Sequence, residues 1–173
     1  MAFDPPLFYI VVNYYCIKVI NLGNIKVKIV KLEPMIVASA YAFSESPEEK
    51  AQQLLNTWAE PRGLLGDLKN HPIFGFDNPP PAGPGQKYGY EFWIKVDPKT
   101  EPGNDVRICF FRGGRYAVTR CTGAHKIPET WMALGEWCKI NNYKIGMHQG
   151  LEKYISGDNP ENLVMDLYCP IYD

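Results

Sequence analysis

The stretch 47-PEEKAQQLLNTWAEP-61 decides the fold, because its pattern returns at 128-PETWMALGEWCKINN-142. In the first copy Ser46 stands at the N-cap, Pro47 opens the helix, and Glu48 and Glu49 sit in the first turn, where the helix dipole favours them. Ala51, Leu54, Leu55 and Trp58 recur at i, i+3, i+4 and i+7, which is one helical face. The second copy also opens on Pro and puts Trp131, Leu134, Trp137 and Cys138 on its apolar side. Leu54 to Trp58 align with Ala133 to Trp137, which sets the register of the two copies.

The flanks repeat at similar offsets. Before the first helix, 25-IKVKIVKLEPMIVASAYAF-43 holds two β-rich runs broken at Glu33-Pro34. Before the second, 106-VRICFFRGGRYAVTRCTG-123 breaks at Gly113-Gly114, a hairpin signal. After the first helix, 73-IFGFDNP-79 leads through the surface loop 78-NPPPAGPGQ-86 to 88-YGYEFWIKVD-97. After the second, 151-LEKYISGDNP-160 leads to 163-LVMDLYCPIYD-173. Each half reads strand, strand, helix, strand, strand, with repeat 1 over about 25–97 and repeat 2 over about 106–173. The prediction is an α+β fold: a duplicated β-β-α-β-β module forming one eight-stranded, mainly antiparallel sheet with two helices on one face. A cleft is expected at the pseudo-two-fold junction, since neither half has core enough alone. Residues 1–24 fall outside the repeat and read equally as an added strand, an oligomerisation segment or an extension from a misassigned start.

At 173 residues, 46% hydrophobic and 21% charged, the chain has the composition of one globular domain. A net charge of −1 and the lack of a Lys/Arg run argue against a phosphate-binding face. The apolar run 7-LFYIVVNYYCIKVI-20 is interrupted by Asn13 and Lys18 and is too short for a membrane span. No basic n-region precedes it, so a signal peptide is not expected either. The 5 cysteines include no CxxC, and Cys121 with His125 lacks a second ligand pair, so free thiols in a reducing cytoplasm and no metal are expected. His71, His125 and His148 read as loop or turn residues.

Strand parity sorts the side chains. Tyr88, Tyr90, Phe92, Ile94 and Val96 share one face, and Glu91, Trp93 and Lys95 the other. Leu163, Met165, Leu167, Cys169 and Ile171 share a face, with Asp166 and Tyr168 opposite. Both halves thus have an apolar face for the helices and a second face bearing an acid two residues before an aromatic, a spacing that Glu152 and Tyr154 repeat. That second face reads either as ligand-lining or as the solvated side of a half-exposed sheet. Glu152 breaks the repeat, because its counterpart near His71 to Ile73 is not acidic. A carboxylate among Trp and Tyr rings suits cationic, planar, lipophilic compounds. Desolvation would raise its pKa and let it act as a general acid or base. Trp131, near its helix start, is a further candidate to line the cleft.

Gly89-Tyr90 followed by 91-EFW-93, then 113-GGRYAV-118, Trp137, 151-LEKY-154 and 166-DLYCPI-171 together resemble the GyrI-like small-molecule-binding domain. That domain also forms the effector-binding half of some AraC-type and MerR-type multidrug-responsive regulators. The resemblance covers about residues 25–173 and implies a cleft between duplicated halves with an acid at its base. It places that acid at Glu152, with Tyr154, Asp166 and Tyr168 beside it, and Glu91, Trp93, Trp131 and Tyr90 complete the expected ligand-binding set. The preceding segment 1–24, β-branched and aromatic, cannot supply a helix-turn-helix. The expectation is therefore a stand-alone sensor or sequestering domain for an amphipathic, cationic or aromatic small molecule. It has no nucleic-acid partner, no membrane association and no cofactor, with a homodimer or a partner protein left open. Some relatives of this kind are hydrolases that open the cyclopropane of DNA-alkylating natural products. By that resemblance Glu152 is the catalytic residue that activates water, with Glu91, Tyr90 or Tyr154 orienting the substrate. A third reading is a gyrase-modulating interaction domain, with a pocket filled by its own side chains and an exposed strand edge.

Overall fold

The computed structural model describes residues 25–172, and the readings offered for 1–24 lie outside them. In chain order the elements are β1 (Lys28–Leu32), β2 (Met35–Ser44), α1 (Pro47–Ala59), β3 (Ile73–Asp77), β4 (Tyr88–Val96) and β5 (Val106–Phe111). They continue as β6 (Gly114–Thr122), α2 (Ile127–Ile140), β7 (Leu151–Ser156) and β8 (Val164–Ile171). The strands form one eight-stranded sheet, ordered β1-β6-β8-β7-β3-β4-β2-β5 and antiparallel throughout. The halves join at its centre, where Gly75 of β3 lies opposite Glu152 of β7.

Both helices pack on the face that strand parity assigns to them. Ala51, Leu55 and Trp58 of α1 cover Ala38, Ala40, Phe92 and Ile94, the alanines letting the helix approach β2 closely. Leu134 and Cys138 of α2 cover Ala117, Leu167 and Cys169. Burying one such large apolar side chain contributes about 1.5–3 kcal/mol, so each helix is fixed by its own half. Ser46 occupies the N-cap position of α1 but makes no side-chain cap bond.

The two N-terminal strand pairs differ from the sequence reading. Gly113-Gly114 does not close a hairpin: β5 pairs with β2, and β6 pairs with β1. Leu32 lies opposite Gly114 and Met35 opposite Phe111, so a single register runs through both breaks. The segments 28–44 and 106–122 are thus two long strands of one antiparallel ribbon, bent where Glu33-Pro34 meets Arg112-Gly113. Gly113 has φ 75° and packs on Pro34, whose nitrogen would lie 3.0 Å from a Cβ there. It marks a crossing of two connections and not a turn. Each half thereby lends its first strand to the other.

That bend closes the second face on itself. Phe74, Phe76, Phe111, Tyr116, Val118, Leu151 and Tyr168 form a core drawn from both halves. The rings of Phe76 and Trp93 meet edge to face at 4.6 Å, and those of Tyr116 and Tyr168 at 5.6 Å. The centre of this face is therefore packed and not solvated.

Candidate ligand-binding cleft

Because each helix covers only its own half, the seam above β3 and β7 opens into a cleft of about 1200 Å³. Glu152 points into it from β7 on the helix side of the sheet, with Tyr154 two residues along the same face. Tyr90, from the neighbouring half, donates its hydroxyl to Glu152 Oε2 at 2.7 Å. Trp131 reaches down from α2 and donates its indole N–H to Oε1 at 2.9 Å. Gly75 makes this meeting possible: a Cβ there would strike the Tyr90 ring and hydroxyl, so the bare backbone lets the ring lie across β3.

The electrostatics follow from burial. Loss of water raises the Glu152 carboxyl above the ordinary range, the bonds from Trp131 and Tyr90 hold it down in part, and Glu48 adds to the rise. Burial and the Glu152 charge push Tyr90 well up, so it remains a protonated donor. Each oxygen of Glu152 accepts one hydrogen bond from the described residues, which leaves both with capacity to accept another.

Three further residues escaped the sequence reading. Asp77, at the end of β3, lines the cleft beside its rim. Crowding by the cleft walls, then the charges of Glu152 and Glu48, raise its carboxyl, although its exposure to solvent screens part of this. Tyr88 donates its hydroxyl to Glu48 in the first turn of α1, and burial pushes that phenol up. The signal available for them was parity: Tyr88 shares a face with Tyr90, and Asp77 with Gly75. Among the described residues, no Lys, Arg or His lines the cleft.

Of the expected ligand-binding set, Glu152, Tyr154, Tyr90 and Trp131 come together here. Tyr154 turns its hydroxyl to the Gly157 carbonyl at 2.6 Å, so it offers the cleft its ring. Glu91, Trp93, Asp166 and Tyr168 do not join them, because their strand positions face the opposite side of the sheet. Glu91 is 1% exposed and accepts from Ser39 at 2.5 Å, Arg107 at 2.7 Å, Trp93 at 2.8 Å and Asn78 at 2.9 Å. Burial opposes its charge, but those donors outweigh it and lower its carboxyl. Asp166 is gripped by both nitrogens of an Arg120 fork, at 2.7 and 3.1 Å. These acids hold the sheet together. No three His, Cys, Asp or Glu side chains among the described residues gather closely enough to hold a metal, and no helix among them is long and apolar enough to cross a membrane.

Known proteins match at the level of family and fold. A crystal structure of an uncharacterized conserved protein from Listeria innocua superposes with a TM-score of 0.64 at 11% identity, covering 85% of this chain and 92% of that one. The EcmrR C-terminal domain gives 0.63 at 12% identity, covering 86% and 98%. SAV2435 bound to tetraphenylphosphonium gives 0.52 at 15% identity, covering 85% and 94%. A search of curated proteins returned no match. The sequence model of the GyrI-like small molecule binding domain matches residues 25–172, all of the described residues. The chain belongs to the GyrI-like small-molecule-binding domain family.

Proposed function

We propose that the cleft captures amphipathic cations, with the charge held at Glu152 and the apolar part against Phe92, Ile127 and Met165, as in a sensor or sequestering module. One observation carries this reading: a desolvated carboxylate stands at the base of a cleft of about 1200 Å³ lined by no basic side chain among the described residues. Burying such a charge without a counter-charge is unfavourable, and an incoming cation removes that cost. The Tyr90, Tyr88 and Phe92 rings add cation–π attraction worth about 0.5–2 kcal/mol each where well placed. A fold neighbour, SAV2435, carries tetraphenylphosphonium, a lipophilic cation. Titrating tetraphenylphosphonium into wild type and Glu152→Gln tests the proposal. A loss of tenfold or more in the variant is expected, and equal affinities would end the assignment.

A hydrolase reading is favoured by the same raised carboxyl, which is poised to take a proton from water, and by Tyr90 as a fixed hydroxyl donor. Another fold neighbour is a hydrolase from Listeria innocua, at 12% identity. Product formation from a cyclopropane-bearing alkylator, abolished in Glu152→Gln, is the result this reading requires. Tight binding without turnover excludes it for that substrate class.

A further inference from the structure

The duplication makes the two walls of the cleft comparable position by position. When the alignment of Leu54 with Ala133 is carried back along the helices, Glu45, Glu48 and Glu49 correspond to Ala124, Ile127 and Pro128, and all six line the cleft. At the helix starts one wall is therefore acidic and its counterpart apolar, whereas the two Asp-Asn-Pro turns each bring an acid to the cleft, Asp77 and Asp158. Asp77 extends the acidic wall towards the base of the cleft. Since Glu152 lies opposite Gly75, Asp77 is its diagonal neighbour on the same face, and such neighbours are about 7–8 Å apart. Among the described residues these two acids do not belong to any group of three or more His, Cys, Asp or Glu close enough to hold a metal ion. Their spacing fits two positive centres on one organic molecule.

Resting on the reading of this cleft as the ligand site, we infer that the preferred ligand is a dication with an apolar body. One positive centre lies at Glu152 and the second at Asp77 and Glu48, while the body lies against the α2 wall. Asp77 is then the residue that selects for ligand charge. Among the described residues no donor hydrogen-bonds its carboxylate, whereas Glu152 has two and Glu48 has Tyr88. Within the described residues it is open to a ligand.

The test uses two permanently charged probes that differ in one head group, p-xylylene-bis(trimethylammonium) and benzyltrimethylammonium. Calorimetric titration of the whole chain is expected to favour the dication by roughly tenfold, the order a second ion pair at about 4 Å supplies near bulk dielectric. Asp77→Asn is expected to reduce the dication to the affinity of the monocation while changing the monocation less than threefold. Asp158→Asn, a cleft acid on the opposite rim, should leave the ratio unchanged. Asp77 is exposed, so its variant is expected to fold, and an unchanged thermal midpoint verifies this. Equal binding of both probes to wild type, or the same loss of preference in Asp77→Asn and Asp158→Asn, overturns the dication inference. In either case, monocation binding that still depends on Glu152 leaves the proposed function standing. Failure of both probes and of tetraphenylphosphonium to bind brings down the proposed function as well.

Discussion

Gly75 shows how much of the site depends on a missing side chain. Its backbone provides the space in which Tyr90 crosses β3 to reach Glu152. Gly75→Ala is expected to displace the Tyr90 hydroxyl, raise the Glu152 carboxyl further and weaken cation binding several-fold, which titration of tetraphenylphosphonium measures. Retained affinity would show that Tyr90 does not position the carboxylate. The raised carboxyl also has a consequence for stability. The folded state keeps this proton at pH values where the unfolded chain has lost it. Stability from Glu152 is therefore full below the ordinary carboxylate range and declines as pH rises through the raised value. Thermal melts without ligand should find Glu152→Gln at least as stable as wild type at about pH 8, with any advantage shrinking towards about pH 4. Glu152 was legible in the sequence because it interrupts the repeat. Asp77 was hidden inside Asp-Asn-Pro turn chemistry, and Glu48 read as a first-turn acid serving the helix dipole. Both readings hold locally and omit what the fold sets opposite them.

At the scale of elements, the helices were legible because their apolar positions follow the helical period and their packing is local. Strand parity also placed the apolar faces of β4 and β8 correctly, since alternation is a backbone property. The ribbon was not legible. Gly113-Gly114 satisfies the local grammar of a hairpin, but the strands it separates find their partners in the other half of the chain. Nothing in a short window records that pairing. The same gap misassigned Glu91 and Asp166, which look like a polar outer face until the ribbon closes over them. Their role predicts a structural phenotype. Glu91→Ala strands the buried donors of Ser39 and Trp93 and opens a small cavity, at a cost of about 2–4 kcal/mol by denaturant unfolding. Cation binding should persist in the folded fraction. An unaffected midpoint, or selective loss of binding, contradicts this division of labour.

Across the whole molecule, the exchange of β1 and β5 makes the halves mutually dependent. A fragment spanning 25–103 would keep β1 without β6 and β2 without β5, and would expose the side of the shared aromatic core that the other half covers. It is expected to show no cooperative thermal transition, whereas the intact chain unfolds in one step. The same interlock fixes the seam, and with it the distance between carboxylates contributed by different halves. The duplicated plan and an expected seam were readable from spacing, one broken symmetry singled out Glu152, and the acid at the base of the cleft was what the family resemblance implied. The unequal chemistry of the two walls emerged only when equivalent positions were seen to line one space.

The central question is whether Glu152 meets the positive charge of a ligand. Carbon-13 NMR of glutamate side-chain carboxyls, with Glu152 assigned through Glu152→Gln, measures this directly. The resonance should titrate above the ordinary carboxylate range in the free protein and move to lower pH when tetraphenylphosphonium saturates the cleft. A carboxyl that titrates normally in the free protein, or whose titration is unmoved by the bound cation, contradicts it.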